Sequence, residues 1–204
     1  MKIIDCEQGT PEWLKARAGL VTASNIPKVL AGKETAKRRD YIYQIVAEIL
    51  TGEPADEGYV SEDMKRGREQ EQFACAAYEI KFAQFVEKIG FVVHDELRTG
   101  ASPDRLVGDD GLVEAKCPKT STHCRYIFKG EVPTEYKPQM LWQMFVTDRK
   151  WCDFVSFDSR LDEKNQLFVI RFERDDAEIE RIVKEVKTFL GEVYEIVKKL
   201  KERS

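Results

Sequence analysis

Residues 100–118 read GASPDRLVGDDGLVEAKCP, and within this stretch Asp104, Glu114 and Lys116 are residue types that can do chemistry together. The Asp109-Asp110-Gly111 turn between two short apolar runs predicts a β-hairpin, because glycine accepts the positive φ that such turns demand. Leu112 to Lys116 then reads as the returning strand. Side chains two apart on a strand share a face, so Glu114 and Lys116 stand together and Asp104 can approach them across the hairpin. Paired carboxylates are hard oxygen ligands suited to Mg²⁺ or Mn²⁺, ions that activate water and shield charge on a phosphate under attack. The Ala115 carbonyl could add an oxygen ligand. Lys116 could orient or deprotonate the water, or stabilise the transition state. The alternative is a solvated charged face, since Glu-x-Lys is a common pattern.

These residues need a scaffold, and the chain has the length for one. Its 204 residues, 42% apolar and 34% charged, fit a soluble globular protein of one domain. No run approaches a membrane span and the first residues lack a signal-peptide layout, so a cytoplasmic location is the default expectation. Cys6, Cys75, Cys117, Cys124 and Cys152 include no Cys-x-x-Cys pair, and His94 and His123 are the only histidines. A zinc site is therefore not expected, and reduced, mostly buried thiols are. The net charge of −4 argues against a generally basic DNA-coating surface but allows a local basic channel.

Helices are predicted first. Thr10-Pro11 opens one to about residue 17, and residues 22–25 open a second that ends near Gly32. Amphipathic patterns follow over residues 35–51 and 61–80, with a loop at 53–60 between them. Gly67, inside the fourth helix, is expected to mark a close packing contact. Residues 85–116 change to strands. Helices return at 118–129 and 134–147, where Pro138 is expected to displace or kink the first turn. Strands at 151–157 and 167–172 and a long helix at 175–201 complete the pattern. This order predicts an α/β or α+β domain with a central mixed β-sheet flanked by helices.

Further residues on these elements carry possible chemistry. Glu69 or Glu71 in GREQEQ could complete a metal site from a helix beside the sheet, although such a run is usually a solvated face. Arg17 ends one helix where Thr22 and Ser24 open the next, which makes either a terminal-phosphate pocket or ordinary capping with a surface pair. Gln139 and Gln143, one turn apart, could face the site together. Lys33, Lys37, Arg38 and Arg39 could meet DNA phosphates, or form a solvated helix face. Trp13, Trp142 and Trp151 read as core or interface residues, and His123 as a surface or packing residue.

Pro103-Asp104 with Glu114-Ala115-Lys116 resembles the PD-(D/E)xK nuclease signature, and SPDRL…GLVEAKCP resembles its phage lambda exonuclease (YqaJ-type viral recombinase) branch. The stretch from Trp13 to Ser24 is similar to that branch's W-x-x-x-R-x-G-x-[IV]-T-A-S block. The resemblance runs from Gln8 to about Phe172. It implies a restriction-endonuclease-like core and a Mg²⁺-dependent 5′→3′ exonuclease of duplex DNA, with two ions per site and Mn²⁺ able to substitute. Such an enzyme releases 5′-mononucleotides and leaves 3′ single-stranded overhangs. Asp104, Glu114, the Ala115 carbonyl and Glu71 would hold metal, with Glu69 the lesser choice, while Lys116 and Gln139 handle the water. Arg17, Ser24 and Ser102 would seat the 5′-phosphate, with Thr22 beside them. Some relatives have an arginine where this chain has Thr122, so Arg125 would substitute from the next turn or the 5′-phosphate preference would be weaker. The resemblance also implies a homotrimeric ring on DNA ends, a single-strand annealing partner, and a phage or prophage origin in a bacterial host. Another PD-(D/E)xK endonuclease and a non-catalytic DNA-end-binding module are the alternatives.

Overall fold

The computed structural model describes residues 1–55 and 61–203; residues 56–60 of the predicted loop lie outside them. Strand β1 (Lys2–Ile4) leads to helix α1 (Pro11–Arg17). The Thr10 side chain accepts from the Trp13 amide, and Pro11 occupies the first turn, where no intrahelical donor is required. Gly19, at φ +71°, then turns the chain into β2 (Val21–Thr22). A 3₁₀ turn (Ala23–Asn25) and the four-residue α2 (Ile26–Val29) stand where one longer helix was expected. Next come α3 (Ala36–Thr51) and α4 (Glu62–Phe82).

The predicted central sheet is two four-stranded mixed sheets. The first has the order β1-β3-β4-β2, with β3 (Phe91–Val93) and β4 (Thr99–Ala101) antiparallel and β2 parallel to β4. The second has the order β5-β6-β7-β8. Here β5 (Arg105–Val107) and β6 (Gly111–Lys116) form the predicted hairpin, and β6 runs parallel to β7 (Trp151–Phe157). Antiparallel β8 (Leu167–Glu173) closes the edge. The chain leaves one sheet for the other through Ser102-Pro103-Asp104. Pro103 has no N–H to give a ladder, which suits it to that break.

Helix α5 (Thr120–Lys129) and α6 (Lys137–Thr147) connect β6 to β7, the short α7 (Glu163–Gln166) connects β7 to β8, and α8 (Asp176–Lys201) ends the fold. The second sheet is packed on both faces. Val113, Ala115 and Val155 meet Ala74, Cys75 and Tyr78 of α4. Leu112 and Phe154, of the opposite parity, belong to the larger core with α3, α6 and α8. Glu114 and Lys116 share the parity of Leu112, so they project on the α6 side.

Several local expectations are corrected. The positive φ of the hairpin turn is at Gly108 (+51°), not Gly111. Gly111 is needed for space instead: a Cβ there would come within 2.2 Å of the Trp151 ring. Gly67 is no tight contact, since its added Cβ would lie 3.8 Å from the Cys117 carbonyl oxygen, an ordinary distance. Pro138 goes with a displaced start and no kink in α6: the helix begins at Lys137, not at residue 134, and the proline falls in its first turn. Arg38 is withdrawn from the surface, at 2% exposure, with its guanidinium paired at 2.7 and 2.9 Å to both oxygens of Glu192 on α8. It ties α3 to α8 and is not presented to DNA.

The hydrogen bond from Arg38 holds the Glu192 carboxyl below its usual pKa. A depressed carboxylate contributes stability above its unfolded pKa of about 4.3 and loses that contribution as pH falls through the lower native value. With 37% of the Glu192 side chain open to water, we expect Glu192→Gln to cost about 1–2 kcal/mol at pH 7 in urea unfolding. The difference from wild type should shrink toward pH 3, on the order of one unit below that unfolded pKa.

Candidate active site

Glu114 is 1% exposed, and a carboxylate so placed requires donors. Two come from α6: Gln139 Nε2 donates to Oε1 at 2.6 Å and Gln143 Nε2 to Oε2 at 2.7 Å. Glutamines four apart on a helix share a face, so one element reaches both oxygens. The Lys116 ammonium donates to the same Oε1 and lies 5.3 Å from the Tyr136 ring centroid. Burial alone lowers the pKa of Lys116, but Glu114 and Asp104 outweigh it and hold the group above the ordinary lysine range. As it stands Lys116 is a cation, suited to stabilising negative charge or donating to a bound oxygen.

Asp104 precedes the paired residues Arg105 and Val113 and so falls opposite Glu114. Its Oδ2 accepts from the Ala115 amide at 2.7 Å. Burial and the Glu114 charge push the Asp104 carboxyl well above its usual pKa, with Glu71 adding to the rise, against the pull of Lys116 and the Ala115 N–H. Glu71 comes from α4, on the other face of the sheet. It follows the line of Gly67, Cys75 and Tyr78 along the helix, whereas Glu69 points to solvent. Glu71 Oε1 is engaged by Arg105 Nη1 at 3.0 Å. Among the described residues no three His, Cys, Asp or Glu side chains converge as metal ligands. Asp104, Glu114 and the Ala115 carbonyl remain an oxygen-only set, with the two carboxylates opposite each other across the hairpin. These residues fit a divalent cation.

A second group lies beside the first. Trp13 Nε1 donates to Ser102 Oγ at 2.8 Å, and the Arg17 guanidinium sits 3.6 Å from the Trp13 ring centroid. Arg17 Nη2 is 3.5 Å from Thr22 Oγ1, which is 3.4 Å from Ser24 Oγ and accepts from Asn25 Nδ2 at 2.8 Å. Arg17, Thr22, Ser24 and Ser102 are therefore brought into one network. Gln8 Nε2 bonds the carbonyls of Ile89 and Pro103, both at 3.0 Å, and so fixes the link between Ser102 and Asp104. A cavity of about 490 Å³ is lined by Gln8, Trp13, Arg68, Glu71, Asp104 and Arg105, and a separate one of about 260 Å³ is lined by Arg17, Thr22, Asn25 and Lys28. Arg125 stands apart on the exposed side of α5, with its guanidinium 5.7 Å from the Tyr126 ring centroid. Among the described residues it shares no hydrogen bond with that network.

A family model of the YqaJ-like viral recombinase domain matches residues 12–150, which contain both groups. The chain belongs to that family. It is 43% identical to an alkaline exonuclease from Laribacter hongkongensis (LHK-Exo), covering 94% of this chain and 96% of that one at a TM-score of 0.87. The same enzyme in complex with dAMP matches with a TM-score of 0.88. A phage related exonuclease from Haemophilus somnus 129PT shares the fold, with a TM-score of 0.70 at 16% identity over 89% of this chain and 96% of that one. No curated protein sequence matches.

Within this family member, sequence reasoning passed over three contributors. Trp13, assigned to core or interface, links Arg17 to Ser102. Its spacing of four from Arg17 on a helix was the available signal. Tyr136 gives Lys116 an aromatic neighbour, and Arg105 engages Glu71; neither carries a local signal. His123 is a packing residue, fully buried between Ser156 Oγ (2.6 Å from Nδ1) and the Asn165 carbonyl (2.8 Å from Nε2). All five thiols are free, and Cys75, Cys117 and Cys152 are buried, as expected.

We expect Gln143→Leu, which strands one buried oxygen of Glu114, to cost about 1–3 kcal/mol in chemical denaturation. Burial pushes the Cys75 and Cys117 thiols up to about 12. A thiol reagent at neutral pH should therefore label exposed Cys124 in the folded protein and spare Cys75, Cys117 and Cys152 until the chain is unfolded, as read by peptide mass spectrometry.

Proposed function

We propose that the chain is a Mg²⁺-dependent 5′→3′ exonuclease of duplex DNA that releases 5′-mononucleotides and leaves 3′ single strands for recombination by annealing. The coarse part, a nuclease role in recombination, follows from the family and from the 43% identical alkaline exonuclease. The observation that carries the finer reading is the short link between the two groups. Ser102, tied through Trp13 to Arg17, is two residues from Asp104. A phosphate-seating group so close to paired carboxylates suits cleavage at the bond next to a terminal phosphate. The relative's complex with dAMP supports a mononucleotide product.

Asp104, Glu114 and the Ala115 carbonyl would hold the Mg²⁺, or Mn²⁺ in its place, with Glu71 the candidate ligand of a second ion. A bound divalent ion supplies an activated water and charge neutralisation at the phosphate. The chain's own residues do the rest. Gln139 and Gln143 fix Glu114 in one orientation. Lys116, held charged, donates toward the water or the phosphate oxygens. The Arg17 fork, with Thr22, Ser24 and Ser102, seats the 5′-phosphate. Arg125 adds a cation outside that network. Resemblance to the lambda exonuclease branch further supports a ring-shaped homotrimer, an annealing partner and action in a bacterial cytoplasm. Among the described residues no helix is long and apolar enough to cross a membrane.

Linear duplex labelled at one 5′ end, with and without the phosphate, tests this reading. With Mg²⁺ we expect immediate release of labelled mononucleotide, faster from the phosphorylated end. Lys116→Ala should slow release by roughly 10²–10⁴-fold. Arg17→Ala should abolish the preference for the phosphate. Cutting of a closed circular duplex would instead identify an endonuclease, and end binding with no metal-dependent release a non-catalytic module.

A further inference from the structure

Arg105 stands between the two sources of acid. Its Nη1 is 3.0 Å from Glu71 Oε1 and also donates to the Asp104 carbonyl. At 7% exposure it is nearly enclosed, and a guanidinium does not surrender its proton in a protein. Glu71 is the freer partner, with 32% of its side chain in water. A permanent cation at this position offsets one carboxylate of the three. It also repels any dication placed against Glu71.

We propose that Arg105 is a resident cation that restricts the DNA-free protein to one divalent ion, held by Asp104 and Glu114, with Glu71 becoming a ligand only after Arg105 lets it go. The inference rests on the metal-dependent reading of the site. The agent of release is the substrate's own phosphodiester. Guanidinium forks take phosphate as readily as carboxylate. Arg105, Glu71 and Asp104 line the same cavity of about 490 Å³, so a strand entering it meets all three. Arg105 is thus a positioning residue: it acts through Glu71, and it couples arrival of DNA to completion of the metal set.

Counting bound Mn²⁺ by titration calorimetry and electron paramagnetic resonance on the full chain decides the matter without an activity assay. The wild type should bind about one ion without DNA and about two with a non-cleavable phosphorothioate duplex. Glu71→Gln should leave the first ion's affinity within about twofold, because without DNA that carboxylate is held by Arg105 and not by the ion, whereas loss of a true ligand costs at least about tenfold. Arg105→Ala should gain the second ion without DNA, and Arg105→Ala/Glu71→Gln should lose it again. Two ions on the DNA-free wild type, a tenfold loss in Glu71→Gln, or one ion on a folded Arg105→Ala would each overturn the inference. So would a wild type that stays at one ion on DNA. If Arg105→Ala does not fold, the Glu71→Gln titration decides alone. Absence of any Mn²⁺ binding would sink the metal-dependent reading itself.

Discussion

A charge removed from water must be matched by donors, and Glu114 is the group on which this requirement falls hardest. Its oxygens are met by two amides from α6 and by the ammonium two residues along its own strand. The demand sets the depth and rotation of α6 against β6. The helix can comply because the residues between its glutamines, Met140, Leu141 and Trp142, are driven into the larger core. Packing and polar satisfaction thus point the same way. Amide donors also carry no charge, so they secure the carboxylate without cancelling the negative potential that a cation needs.

The acids of the site reach it from different layers. Glu114 lies on the face covered by α6, Glu71 belongs to α4 on the opposite face, and Asp104 sits on the segment between the sheets. The group exists only where the second sheet ends, because there a side chain can pass from one face to the other. Arg105 occupies the α4 side of that edge and bridges the two contributions.

What was legible in the sequence was what local geometry dictates. Strand parity placed Glu114 beside Lys116, helical spacing paired Gln139 with Gln143, and Thr10-Pro11 marked a helix start that the structure has. The choice between Glu69 and Glu71 was left open, since it depends on which face of α4 meets the sheet. The division into two sheets was missed because strands of three residues are too short to show alternation. Arg38 was misplaced in a basic run because its partner Glu192 is 154 residues away, and pairing at that distance leaves no trace in a local pattern. Arg105 was passed over for a similar reason. Its meaning comes from α4, 34 residues earlier.

The bond from the Ala115 amide to Asp104 gives one backbone proton an unusual duty. Elsewhere in the second sheet, protection of an amide against solvent deuterium reports the opening of a ladder. At Ala115 it reports whether a side chain from the seam between two sheets is in position. The placement of the acid can therefore be followed, residue-resolved and without any introduced probe, by the exchange of that single proton.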